Sequence, residues 1–168
     1  MCLQCLVFFC WSKQYVPVFK LAGGEIDFAD NVTYLGYQLT CNMDDGPTMK
    51  KEARNVYIRG NSLIRNFKNC SKEVKVSLFK TYCSSVYCCS LWSKYNNSQA
   101  NAVCVALNKV FKCLMGKKGD YSASMLFVEN GVNNVQVIRR KMIFSLKSRI
   151  ELSSNSFIKC IVNTCYYT

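Results

Sequence analysis

Residues 47–67 read PTMKKEARNVYIRGNSLIRNF, and their spacing decides the class of fold. Met49, Ala53, Val56, Gly60, Leu63 and Phe67 step by 4, 3, 4, 3 and 4, which places apolar groups on one face of an α-helix. Lys50, Lys51, Arg54 and Arg65 fall off that stripe, so a helix here turns them to solvent. Pro47 suits a helix's first turn, where the N–H it lacks would have no intrahelical partner. Gly60 lies on the stripe itself, where a missing Cβ lets a second backbone come close.

The helical pattern continues downstream. Ser71 is a candidate N-cap, with Glu73 placing a negative charge in the following first turn. Residues 72–92 are apolar nearly all round beyond Phe79 (Tyr82, Cys83, Val86, Tyr87, Leu91, Trp92), which predicts a buried central helix. A loop with a capping residue follows at 96–98. A third helix over 98–115 shows Val103, Leu107, Val110 and Leu114, and Gly116 closes it with Lys117 and Lys118 at its negative end. Residues 122–128 form a short helix and 130–134 a turn. Val135, Ile138, Met142, Leu146 and Ile150 define a fourth long helix, surrounded by Arg139, Arg140, Lys141, Lys147 and Arg149.

Upstream of residue 47 the chain has strand character. Residues 1–11, MCLQCLVFFCW, are a continuous apolar run without polar alternation, as in a strand buried on both faces. The run lacks the charged start and small-residue cleavage site of a signal peptide, and is far shorter than the roughly 20 residues that span a bilayer. Residues 15–20 follow, with Pro17 arguing for an edge, then a Gly23-Gly24 turn, then 25–29. Residues 32–39 are rich in β-branched and aromatic side chains and read as a further strand. The expected fold is therefore α+β and mainly helical. A small antiparallel N-terminal sheet or hairpin over 1–45 leads to a bundle of four or five helices over 46–155, with a tail at 156–168.

Composition narrows the function. The 168 residues carry a net charge of +12, unevenly spread: residues 1–45 hold two bases and five acids, and the rest are strongly basic. Such asymmetry fits a polyanionic partner. There is no histidine, which excludes histidine-based nucleophile and proton-shuttle systems and zinc sites that need it. Of the 12 cysteines, Cys2 and Cys5 form a CxxC without a second matching pair. Cys83, Cys104 and Cys113 fall on apolar helical faces and read as reduced, structural thiols. Asp44 and Asp45 precede Gly46-Pro47, where turn chemistry accounts for them. Phe28-Ala29-Asp30-Asn31 is like the aromatic-Ala-Asp-Asp box of polymerases, but Asn31 supplies no charge, so two metal ions could not be clamped there.

The segment Asn31-Val32-Thr33-Tyr34-Leu35-Gly36-Tyr37-Gln38-Leu39 resembles the "YLG" element of non-LTR (LINE-type) reverse transcriptases, which belongs to the hairpin called the primer grip. The likeness continues through Arg59-Gly60-Asn61, Leu63-Ile64-Arg65, Leu78-Phe79-Lys80-Thr81-Tyr82-Cys83 and Tyr87-Cys88-Cys89-Ser90-Leu91-Trp92. It extends to Asn108-Lys109-Val110-Phe111-Lys112, Met115-Gly116, Ser122 to Val128 and Arg139-Arg140-Lys141, covering roughly residues 3–155. Where the family usually has lysines in the opening strand, this chain has Cys2-Leu3-Gln4.

The resemblance implies the end of a polymerase palm followed by a thumb-like helical domain. In the family the catalytic aspartates lie several tens of residues upstream of the YLG element, at positions this sequence does not contain. No catalytic residue and no metal ligand is thus expected, and Mg2+ is implied only for the palm. Tyr34, Leu35 and Gly36 would form the primer-grip turn. Lys50, Lys51, Arg54, Arg65, Lys109, Lys112, Lys117, Lys118, Arg139 and Arg140 would contact nucleic acid, an RNA-template/DNA-primer duplex. The implied partners are that duplex and the palm of the same polyprotein, with no membrane, in an intracellular setting. Two other readings stay open: a stand-alone basic helical nucleic-acid-binding protein, and an inactive remnant of a decayed element.

Overall fold

The computed structural model describes residues 20, 21, 23–25, 29 and 31–163. The expected strand at 1–11, all but Lys20 of the expected strand at 15–20, the CxxC, and Phe28 and Asp30 of the Phe28-to-Asn31 box lie outside these residues. Among them the protein is α+β and mainly helical. Two antiparallel hairpins precede six α-helices: α1 Gly46–Asn66, α2 Lys72–Leu78, α3 Asn97–Leu114, α4 Ala123–Glu129, α5 Val135–Glu151 and α6 Ser156–Val162.

The first hairpin pairs β1 (Lys20–Leu21) with β2 (Gly24–Glu25). The second pairs β3 (Asn31–Tyr34) with β4 (Tyr37–Thr40), with Tyr34 opposite Tyr37 and Asn31 opposite Thr40. The run at 32–39, read as one strand from composition, thus folds back on itself. The two loop residues explain it. Leu35 has φ 48° and Gly36 φ 82°, the pair of positive values a two-residue type I′ turn requires.

Helix α1 buries Met49, Ala53, Val56, Gly60 and Leu63 as its spacing predicts. It packs along α3, whose buried face is Val103, Ala106, Leu107, Val110, Phe111 and Leu114. The two meet at Gly60, where an added Cβ would lie 2.3 and 2.6 Å from the two methyls of Val110. Such a contact is open only to glycine. Helix α3 starts in a capping box: Gln99 N donates to Asn96 Oδ1 at 2.9 Å, and Asn96 N donates to Gln99 Oε1 at 2.8 Å. It ends at Gly116, in the left-handed region at φ 65°.

The expected central helix over 72–92 is not one helix. Ser71 caps α2 as predicted, but the helix widens into a π turn over Phe79–Cys83 and stops. Residues 84–96 are irregular and still bury Val86, Cys89 and Trp92, spaced by three. An apolar run without a polar face does not distinguish a helix from a buried irregular strap. The strap is viable because side chains from elsewhere satisfy its backbone. Glu52 accepts from Tyr87 N at 3.4 Å, and Asp45 accepts from Ser93 N at 2.7 Å and Lys94 N at 2.8 Å. Helix α3 occupies the centre instead. Its Phe111 packs at a tilt on Phe79 of the π turn with centroids 4.4 Å apart and meets Phe127 of α4 edge-to-face at 5.0 Å.

Helices α4 and α5 begin at the caps Ser122 and Asn134. Of the α5 stripe, Val135 is buried and Ile138 is half-buried against the core, but Met142 is exposed. The tail expected at 156–168 carries α6, started by Asn155 Oδ1 accepting from Phe157 N at 2.9 Å.

Candidate nucleic-acid interface

The Tyr34-Leu35-Gly36 turn projects from the helices, with Tyr34 64 % and Leu35 74 % exposed. Its strained backbone is fixed from two directions. Lys51 Nζ of α1 donates to Gly36 O at 3.0 Å, and Tyr87 Oη of the strap donates to Leu35 O at 2.5 Å. The Tyr87 ring also lies 3.7 Å from where a Gly36 Cβ would be. A leucine at φ 48° costs roughly 1 kcal/mol, and these two contacts offset it.

Beneath the turn, Asp45 ties three elements together. It is 5 % exposed. Its Oδ1 accepts from Tyr37 Oη of β4, its Oδ2 takes the two strap N–H groups, and its own N–H donates to Lys94 O at 2.9 Å. Thr48 Oγ1 of α1 accepts from Gln38 N at 3.2 Å, which closes the outer edge of β4. Burial raises the Tyr37 pKa, and its hydrogen bond to Asp45 and that carboxylate's charge raise it further. The sequence placed Asp45 in a turn and nothing more. Its strap partners lie 48 and 49 residues away, so no local signal announces them.

A second buried acid, Glu52, pairs with Arg59 at 2.5 Å one face further along α1 and also accepts from Asn55 Nδ2 at 3.3 Å. Both acids serve the scaffold. Their oxygens are spent on protein donors, which leaves no converging pair of free carboxylates here.

The predicted basic residues divide into two groups. Lys50, Arg54 and Arg65 are exposed on the outer face of α1, without a hydrogen bond or ion pair to the described residues. Lys109 of α3, Lys118 and Arg140 of α5 are likewise exposed and unpartnered among the described residues. The others are engaged. Lys51 holds the turn; Lys112 Nζ donates to Gly119 O at 2.9 Å; Lys117 Nζ sits 4.7 Å from the Tyr121 ring centroid. Arg139 is part of the frame: Nη1 donates to Tyr95 Oη at 2.5 Å, Nη2 donates to Trp92 O at 2.6 Å, and the guanidinium lies over the Tyr95 ring. The group expected on nucleic acid thus pins α5 to the strap.

The described cysteines are free thiols. Burial raises the pKa of Cys83 to about 11 and also raises those of Cys89 and Cys104. Cys113, read from its spacing as lying on an apolar face, is exposed because α3 turns Phe111 and Leu114 inward and leaves position 113 between them outside.

Between the second hairpin and the strap lies a cavity of about 680 Å³, lined among others by Tyr34, Tyr37, Leu39, Met43, Tyr87 and Leu91. The sequence does not foretell it, because its walls come from segments some fifty residues apart, joined by contacts such as those of Asp45, Tyr87 and Lys94. No helix among the described residues is long and apolar enough to cross a membrane. Comparison with protein-family models, curated proteins and solved structures gives no match.

Proposed function

We propose that this chain grips the sugar-phosphate backbone of a template–primer duplex, as the primer-grip and thumb portion of a reverse transcriptase of the non-LTR type. Lys50, Arg54 and Arg65 of α1 are its principal phosphate contacts, with Lys109, Lys118 and Arg140 beside them and Lys112 and Lys117 weaker contributors. The Tyr34-Leu35-Gly36 turn sits against the primer strand. In this reading the chain's part is positioning.

The observation that carries this reading is the junction between turn and helix. Lys51 of α1 holds the Gly36 carbonyl, which ties the projecting turn to the helix bearing Lys50, Arg54 and Arg65. A duplex lying along α1 would meet both. Cations that make no ion pair among the described residues are ready to release counterions from nucleic acid, which supplies affinity without sequence preference.

The test is fluorescence anisotropy of a labelled RNA–DNA duplex titrated with the full chain over a range of salt. The reading predicts a linear fall of log affinity with log salt. Binding that is absent, or indifferent to salt, overturns it.

A further inference from the structure

The cavity beside the turn is not an ordinary phosphate site. Its walls are largely aromatic and aliphatic, and its volume of about 680 Å³ falls in the range of small-ligand pockets. Two carboxylates line it. Asp45 has both oxygens committed to Tyr37 Oη and to the Ser93 and Lys94 N–H groups. Asp44 differs: its Oδ1 accepts from Gly46 N at 3.0 Å, and its Oδ2 has no hydrogen-bond partner among the described residues. The cavity therefore offers flat aromatic walls and one half-buried acceptor, and asks for a flat ligand with an N–H edge. Phosphate would be repelled by the carboxylates inside. Outside, Lys51 and Lys94 are anchored on the carbonyls of Gly36 and Asn42, whose chain neighbours line the cavity. They place positive charge where a backbone would run.

We propose that this cavity takes an unpaired guanine base from the strand bound along α1, stacked on its tyrosines with the N1–H and exocyclic amine donated to Asp44. Guanine is the base whose edge presents two adjacent donors, one for the free Asp44 Oδ2 and one for the second lone pair of Oδ1, which also accepts from Gly46 N. Tyr34 and Tyr87, which line the cavity and are exposed, are then stacking surfaces. The inference rests on the backbone-binding reading above and adds a base preference to it.

The experiment uses a labelled RNA–DNA duplex with a short single-stranded overhang containing one guanine, and the same duplex with adenine in its place. The full chain is compared with Asp44→Asn and Tyr34→Ala. Asparagine keeps an acceptor for Gly46 N, so the turn survives this change. Expected is roughly fivefold or tighter binding to the guanine probe. Asp44→Asn should abolish the preference, and Tyr34→Ala should weaken binding to both overhangs by a larger factor than it weakens binding to the blunt duplex. Salt-dependent binding to all probes without a base preference overturns this proposal and leaves the backbone reading standing. No salt-dependent binding at all overturns both. Guanosine monophosphate, titrated alone by tyrosine fluorescence, is the last arm. If it binds as tightly as the overhang, the site serves a free nucleotide and the strand-borne base is refuted.

Discussion

Gly60→Ala is the sharpest test of how the helices are joined. The added methyl would stand 2.3 and 2.6 Å from the Val110 methyls and 3.0 Å from its Cβ. Carbon atoms prefer about 3.5–4.0 Å, so α1 and α3 must separate by roughly 1 Å locally. Valine is β-branched and stiff at χ1 in a helix, so a rotamer change cannot clear both methyls. Overpacking of this kind costs about 1–3 kcal/mol, while alanine's better helix propensity returns about 1 kcal/mol. The expected net loss is about 0–2 kcal/mol, read as a lower urea midpoint followed by circular dichroism. Val110→Ala alone should also destabilise, by leaving a cavity beside Gly60. The double variant should be more stable than the sum of the two by about 1 kcal/mol or more, because the new methyl fills the vacated space. If Gly60→Ala stabilises the protein, or the two changes add without coupling, the close approach at Gly60 is wrong.

Three further outcomes follow from the same contacts. Asp45→Ala strands two half-buried strap N–H groups and the Tyr37 hydroxyl and should cost about 2 kcal/mol or more in urea denaturation; Asp45→Asn, which keeps one acceptor oxygen, should cost less. Arg139→Lys loses the two-pronged grip on Trp92 O and Tyr95 Oη and should lower stability by about 1–2 kcal/mol while leaving duplex affinity unchanged; a selective loss of affinity would return Arg139 to the interface. Alkylation with iodoacetamide near pH 9, followed by peptide mapping, should label exposed Cys113 and Cys160 well before Cys83. The sign is set by burial: a thiol pKa raised from 9.0 to about 11 keeps Cys83 protonated, and its contribution to stability is present below pH 9 and lost as pH rises through 11. Early labelling of Cys83 would show that the core opens.

The helical part of this fold was legible where one face was apolar and the other charged. The α1 stripe, the cap at Ser71, a capping residue within 96–98, Gly116 as a stop and Gly60 as a point of close approach all came from spacing and backbone chemistry, which act locally. Residues 84–92 were misread because an apolar segment without a polar face carries no phase. What ends the helix there is the supply of hydrogen bonds from Glu52 and Asp45, invisible in the segment itself. On α5 the stripe of Val135, Ile138 and Met142 was real, but periodicity says which side is apolar and not whether anything covers it. Among the candidate site residues, sequence reasoning found the exposed cations. It could not separate Lys50, which is unpartnered among the described residues, from Arg139, which is spent on the frame, because that distinction lies in contacts 44 and 47 residues distant.

The central claim is that the outer face of α1 lies on nucleic-acid phosphates. The measurement that tests it most directly is the salt dependence of duplex binding by Lys50→Ala/Arg54→Ala/Arg65→Ala beside the unaltered chain. These side chains are exposed and make no ion pair among the described residues, so the variant should keep its urea midpoint. The account predicts weaker binding at low salt and a slope of log affinity against log salt shallower by roughly 0.9 for each lost phosphate contact, near 3 in all on B-form DNA. An unchanged slope in a folded variant would contradict it.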